Sequence, residues 1–173
     1  VESILGYPLD GKFGAQVTGN PHHWVHRLPG GLFQNTMSHP LYRITDLMAE
    51  DQPQLHGGWR TRPGFTFPTE LNLSLDGGTQ TGSLTFSTLI PAQRISRVYG
   101  SRGTIEVDFD AQSLTWRPRP RLPGAFAKLE SPWKHFGNAL WNLNHNLWRF
   151  ARADIHYFAG MKTLFERFYS SIR

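Results

Sequence analysis

A chain of 173 residues, 39% of them apolar, is long enough to bury about two-thirds of the surface it exposes when unfolded, so a real core is expected. No uninterrupted run of about 18 apolar residues is present, which argues against a helical membrane span, and the lack of cysteine excludes disulfides, thiolate metal sites and cysteine nucleophiles. Charge is uneven: residues 1–111 carry 8 basic and 10 acidic side chains, whereas residues 112–173 carry 10 and 3.

That asymmetry admits an anionic partner such as nucleic acid or a membrane surface, although a solvated basic face is the simpler reading and no nucleic acid is expected. The opening VESILGY has no basic n-region and no apolar h-region, so it reads as a cut made inside a strand rather than a secretory signal, and a cytoplasmic location fits.

Residues 1–7 read as a short strand, and the Gly/Pro-rich stretch 9–21 as an irregular loop. From there Phe33, Met37, Leu41, Ile44 and Met48 recur at spacings of 4, 4, 3 and 4, which predicts one face of a helix over 31–50. Pro40 deletes a backbone hydrogen bond inside it, so a kink is expected near Ser38 and His39. At about 100° per residue, Asn35, His39, Tyr42 and Asp46 share the opposite, polar face.

Four strands follow, over 69–76, 81–88, 94–100 and 103–110. Their alternation sends Leu71, Leu73, Leu75, Leu84, Phe86, Ile105, Val107 and Phe109 one way, and Asn72, Ser74, Ser83, Thr85, Ser87, Thr104, Glu106 and Asp108 the other. One face should pack on helices. The other is rich in Ser and Thr and suits either solvent or a hydrated contact between sheets, and a homo-oligomer through that face is expected. Residues 117–132 read as a Pro/Arg-rich arm within a single domain spanning 1–173. Two helices come last, over 133–151 with a stripe of Phe136, Leu140, Leu143, Leu147 and Phe150, and over 161–172 with Met161, Leu164, Phe165, Phe168 and Ile172.

The stretch HHWVHRLPGGLFQNTMSHPLY, residues 22–42, holds the candidate chemistry. His22 and His26, four apart, invite a metal with His23 or His39 as a third ligand. Zinc needs three or four converging groups, and no H-E-x-x-H is present, so no metal is expected. Pro29-Gly30-Gly31 at a helix start is a possible anion cradle, but neither G-x-G-x-x-G after a strand nor a P-loop lysine accompanies it. His39, one turn after Asn35, is a candidate base; its alternative is a partly buried histidine held by a backbone carbonyl.

The segment W-x-x-x-x-P-G-G-L-F-x-N-x-x-x-H, with TELNLSLDGGTQTGSLTFST, VYGSRGTIEVDFDAQSLTW and FAGMKTLFERFYSSIR, resembles the C-terminal domain of the Gfo/Idh/MocA oxidoreductases, the glucose-fructose oxidoreductase and inositol dehydrogenase family. The resemblance implies an α+β fold with a largely antiparallel, mixed open sheet and helices on one face. It also implies a preceding Rossmann domain that binds NAD or NADP and supplies a catalytic lysine, neither of which this chain contains, so the fragment alone is expected to bind no cofactor and to be inactive. His39 matches the family's proton-transferring histidine, and Asn35 falls where many members have Asp. A neutral amide can orient the imidazole but supplies no charge. Gly30 and Gly31 match the family's turn, and Met37 replaces its small glycine.

The expected activity is therefore dehydrogenation of a sugar, a cyclitol or a related hydroxy compound, with His39 as acid/base, Asn35 as its orienter, and His22, His23, Trp24, His26, Arg27, Gly30, Gly31 and Tyr42 around the substrate. A non-catalytic scaffold or dimerisation module is the first alternative. A basic surface binder of membranes or nucleic acid, resting on the Pro/Arg arm and the Trp-rich helix, is the second.

Overall fold

The computed structural model describes residues 1–155 and 159–172, in two units, Val1–Arg119 and Pro120–Arg173. In the first, chain order runs β1 (Glu2–Gly6), α1 (Lys12–Gly19), a 3-10 turn (Trp24–Arg27), α2 (Gly31–Thr36), α3 (Ser38–Thr45), β2 (Gln54–Arg60), β3 (Glu70–Asp76), β4 (Thr81–Ser87), β5 (Gln93–Gly100), β6 (Gly103–Asp108) and β7 (Ser113–Pro118). The strands form one seven-stranded open sheet in the order β2-β3-β4-β1-β5-β6-β7. Only β1 and β4 pair in parallel; the other neighbours are antiparallel. The fold is α+β with a mixed, largely antiparallel open sheet, as expected.

Register puts the apolar residues on a common face. Leu71 faces Phe86 and Leu73 faces Leu84, Leu5 faces Phe86, and Val107 faces Ser96, because directly opposed residues project to the same side. Helices α2 and α3 cover this side. The Phe33 ring meets Phe86 edge-on at 4.6 Å, and Ile44 is fully buried. Gly82 makes room for that contact, since a β-carbon there would strike Ile44 Cγ2. Each such buried side chain contributes about 1.5–3 kcal/mol. Two small polar residues share the face: Ser3 and Ser96 are buried, with their hydroxyls 3.4 Å apart.

The opposite face is polar, as alternation predicts. Arg97 joins Glu106, at 2.6 Å, to Glu2, at 3.2 Å, and Tyr99 donates its hydroxyl to Glu2 at 2.7 Å.

Several expectations need correction. Residues 9–21 are not simply an irregular loop: α1 occupies 12–19 and buries Val17. Phe13 and Val17, four apart, make an apolar pair on one helix side, which outweighs the turn propensity of the surrounding glycines. Strands β2 and β7 were not anticipated. In β2 the apolar side of the alternation is Leu55, Gly57 and Trp59, and a glycine at its centre hides the period. The Pro/Arg arm is shorter than 117–132: Arg117 and Pro118 finish β7, an edge strand where the missing proline donor costs little, and residues from Phe126 onward are helical.

The second unit holds α4 (Phe126–Ala151) and α5 (Ala159–Ser171). Helix α4 starts seven residues before the expected 133 and carries Pro132 inside it. Its first turns are tied by Glu130, which accepts the backbone N–H groups of Arg121 at 2.8 Å and Leu122 at 3.0 Å and pairs with Lys134. Lys134 first, then those two amides, hold the Glu130 carboxyl down at about 2. The side chain of Met161, expected in the last stripe, lies outside the described residues. Among the described residues no helix is long and apolar enough to cross a membrane.

Candidate functional site

The predicted helix over 31–50 is two helices with a break at Met37, one residue ahead of the expected kink, and the second ends at Thr45. Pro40 is thereby the third residue of α3, where a helix has no intrahelical partner for its N–H, so the proline starts a helix instead of distorting one. Thr36 Oγ1 donates to Leu32 O at 2.9 Å and helps close α2. The apolar stripe survives the break: Phe33 and Ile44 are core residues, with Met37, Leu41 and Met48 packed against them.

Asn35, His39 and Tyr42 stand exposed along α2 and α3 on the side away from that stripe. The rings of His39 and Tyr42 lie 6.5 Å apart, nearly perpendicular. Among the described residues no hydrogen bond joins Asn35 to His39, so the amide is one turn away but does not hold the imidazole.

Gly31 adopts a φ of +52°, open to glycine at little cost, and abuts Phe67. The turn's amides are already engaged: Gly30 N–H donates to Gln34 Oε1 at 3.3 Å, and Gly31 N–H to Leu28 O at 2.9 Å. They are not presented to a phosphate. Preceded by a 3-10 turn rather than a strand, this turn does not fit a dinucleotide site.

The three earlier histidines separate in role. His26 is a structural bridge: Nε2 lies 2.8 Å from Val17 O and Nδ1 lies 3.0 Å from Thr66 Oγ1, which ties α1 and the 60s loop to the 3-10 turn. His23 begins that turn, with Nδ1 accepting from Val25 N–H at 3.4 Å, and its ring meets Phe13 and Trp24 at 5.5 Å each. His22 and Arg27 are exposed, as is Trp24. No hydrogen bond or ring contact links this group to His39 among the described residues, and within them no three His, Asp or Glu side chains form a metal-binding group.

A cavity of about 470 Å³ opens beside α2, lined by Gly30, Phe33, Met37, Trp59, Leu71 and Leu73 among others. Sequence reasoning missed it because Trp59 reaches it from the unanticipated β2. His39 is not among its lining residues, and the lining is chiefly apolar, with Gln34 the polar side chain. His39 and this cavity are thus separate features of the unit.

In comparison with known proteins, no family model matches the chain, and neither a curated protein nor a solved structure does.

Proposed function

We propose that Val1–Arg119 is the substrate-binding and oligomerisation portion of an NAD(P)-dependent oxidoreductase acting on a sugar, a cyclitol or a related hydroxy compound in the cytoplasm. The observation that carries the reading is the placement of His39: solvent-accessible, on a helix pair anchored to the sheet through Phe33 and Ile44, with Asn35 one turn before it. An imidazole so held has a ring nitrogen that can take the proton of a substrate hydroxyl or return it. Asn35, one turn earlier and likewise exposed, supplies an amide to orient that ring when substrate bridges the two. Gly30 and Gly31 shape the turn, and His22, His23, Trp24, Arg27 and Tyr42 remain exposed or half-exposed for contact with a hydroxylated ligand. His26 is set aside from that group, since both its ring nitrogens are occupied.

NAD or NADP belongs, in this reading, to a preceding Rossmann domain, and the chemistry assigned to the present residues is proton transfer alone. The polar sheet face, with Glu2, Arg97 and Glu106 already paired, is the surface proposed for self-association.

The test is turnover of a polyol and cyclitol panel by the full-length protein with either nicotinamide cofactor. His39→Ala should lower kcat by about 100- to 10,000-fold, the range for loss of a general acid/base. Undiminished turnover in that variant sinks the assignment. Nicotinamide-cofactor binding by residues 1–173 alone, seen by calorimetry, would overturn the proposed division of labour.

A further inference from the structure

Helix α4 carries a wide apolar face that stands in solvent. Phe126, Leu129, Trp133, Phe136, Leu140 and Phe150 fall within an arc of about 120° along a helix roughly 39 Å long. Trp133 is 74% exposed and Phe150 71%. Trp141 and Trp148 extend the arc on one side, in a sector shared with Asn144 and Glu130, so the apolar and aromatic side chains span about half of the circumference.

Charge accompanies this face. The unit from 120 to 173 has 8 basic and 3 acidic residues, whereas residues 1–119 have 10 of each, so the whole net charge of +5 belongs to the unit with the uncovered helix. The one acid on α4, Glu130, is paired with Lys134 and two backbone amides. An apolar face backed by net positive charge and flanked by tryptophan is complementary to an anionic lipid surface, where acyl chains, headgroup dipoles and phosphates are layered in that order. A second copy of the helix would cover a narrower seam and would bring two units of like charge together. Single-stranded nucleic acid would need free aromatic faces amid basic side chains. Here Trp141 is stacked by His145 at 5.1 Å and Trp148 is covered by Arg152 at 4.5 Å, while the rings of Trp133 and Phe136 meet each other at 6.0 Å and line an apolar recess with Leu122 and Leu129.

We propose that α4 lies in the headgroup plane of an anionic bilayer, apolar face towards the acyl chains and basic side chains at the level of the phosphates, holding the protein on the membrane without crossing it. The test is co-sedimentation of the 173-residue chain with phosphatidylcholine vesicles containing about one-third phosphatidylserine, with tryptophan emission followed in parallel. Binding with a blue shift is expected, weakened about tenfold or more by high salt or by omission of phosphatidylserine. Leu140→Glu should weaken partitioning about tenfold beyond His135→Glu, which makes the same change to an acidic side chain on the polar face. Both positions are exposed, so folding is not at stake. No vesicle binding, equal binding to uncharged vesicles, or equal effects of the two substitutions overturns the proposal. So does a lipid-free dimer abolished by Leu140→Glu, or oligonucleotide binding tighter than vesicle binding.

Discussion

Phe67 lies so near Gly31 that a β-carbon added to residue 31 would stand 2.5 Å from Phe67 Cβ. Gly31 also holds a φ of +52°, so two penalties coincide in Gly31→Ala. The left-handed conformation costs a non-glycine residue about 1–2 kcal/mol, and crowding of a buried ring costs about 1–3 kcal/mol. A loss of about 2–4 kcal/mol in unfolding free energy is expected from urea denaturation. A loss below about 1 kcal/mol would mean that Phe67 gives way freely and that the turn has no stringent need for glycine.

His26 is expected to matter for stability rather than for turnover. Its two ring nitrogens meet Val17 O and Thr66 Oγ1, and truncation leaves a partly buried carbonyl and a hydroxyl without those partners. His26→Ala should cost about 1–3 kcal/mol, whereas His22→Ala, at an exposed loop position, should change stability by less than about 0.5 kcal/mol. Paired denaturation curves check this, and equal effects would contradict the bridging role.

The same two histidines indicate what the sequence could and could not convey. Periodicity identified the helix stripe from Phe33 to Met48 and four of the six strands that follow β1, because each of those segments has an apolar side that must be buried. The partition of HHWVHRLPGGLFQNTMSHPLY was not legible. His22 and His26 are equivalent by spacing, and only the approach of Val17 and Thr66, 9 and 40 residues away, makes one of them structural. The cavity beside α2 was hidden for a similar reason: Trp59 belongs to a strand whose alternation is interrupted by Gly57. His39 and Asn35 were placed on one polar side by helical geometry alone, and that side is the exposed one. Their lack of a mutual hydrogen bond depends on side-chain direction, which spacing does not encode.

Ser3 and Ser96 offer a test of how a sheet face tolerates polarity. Both are buried among apolar neighbours with Oγ atoms 3.4 Å apart. Ser3→Ala alone strands the Ser96 hydroxyl and should cost about 1–3 kcal/mol. Removing both hydroxyls removes the need for the bond, so the double alanine variant should recover most of that loss. A double-mutant cycle reads the coupling directly; strictly additive losses would show that the two hydroxyls are satisfied independently.

Glu2 gives the polar face a pH dependence with a defined sign. The Tyr99 hydroxyl first, then the Arg97 guanidinium, hold its carboxyl below the ordinary 4.5. A carboxyl whose folded-state value is depressed stabilises the fold fully above 4.5, and this contribution disappears as pH falls from there through the lowered value. Tyr99 has the opposite sense: its hydrogen bond to Glu2 raises it above 10.0, so its contribution is present below that pH and is lost as pH rises through the raised value. The Glu2 and Arg97 side chains are 27% and 29% exposed, so solvent screening keeps the pair to about 1 kcal/mol or less. Glu2→Gln should therefore lower stability slightly at neutral pH and flatten the decline on the acid side, while leaving the amide able to accept from Tyr99. Urea midpoints for wild type and variant, followed from neutrality down past 4.5, should converge as pH falls. Curves that stay parallel across that range would show that Glu2 titrates as it does in the unfolded chain and that the Arg97 network is electrostatically idle.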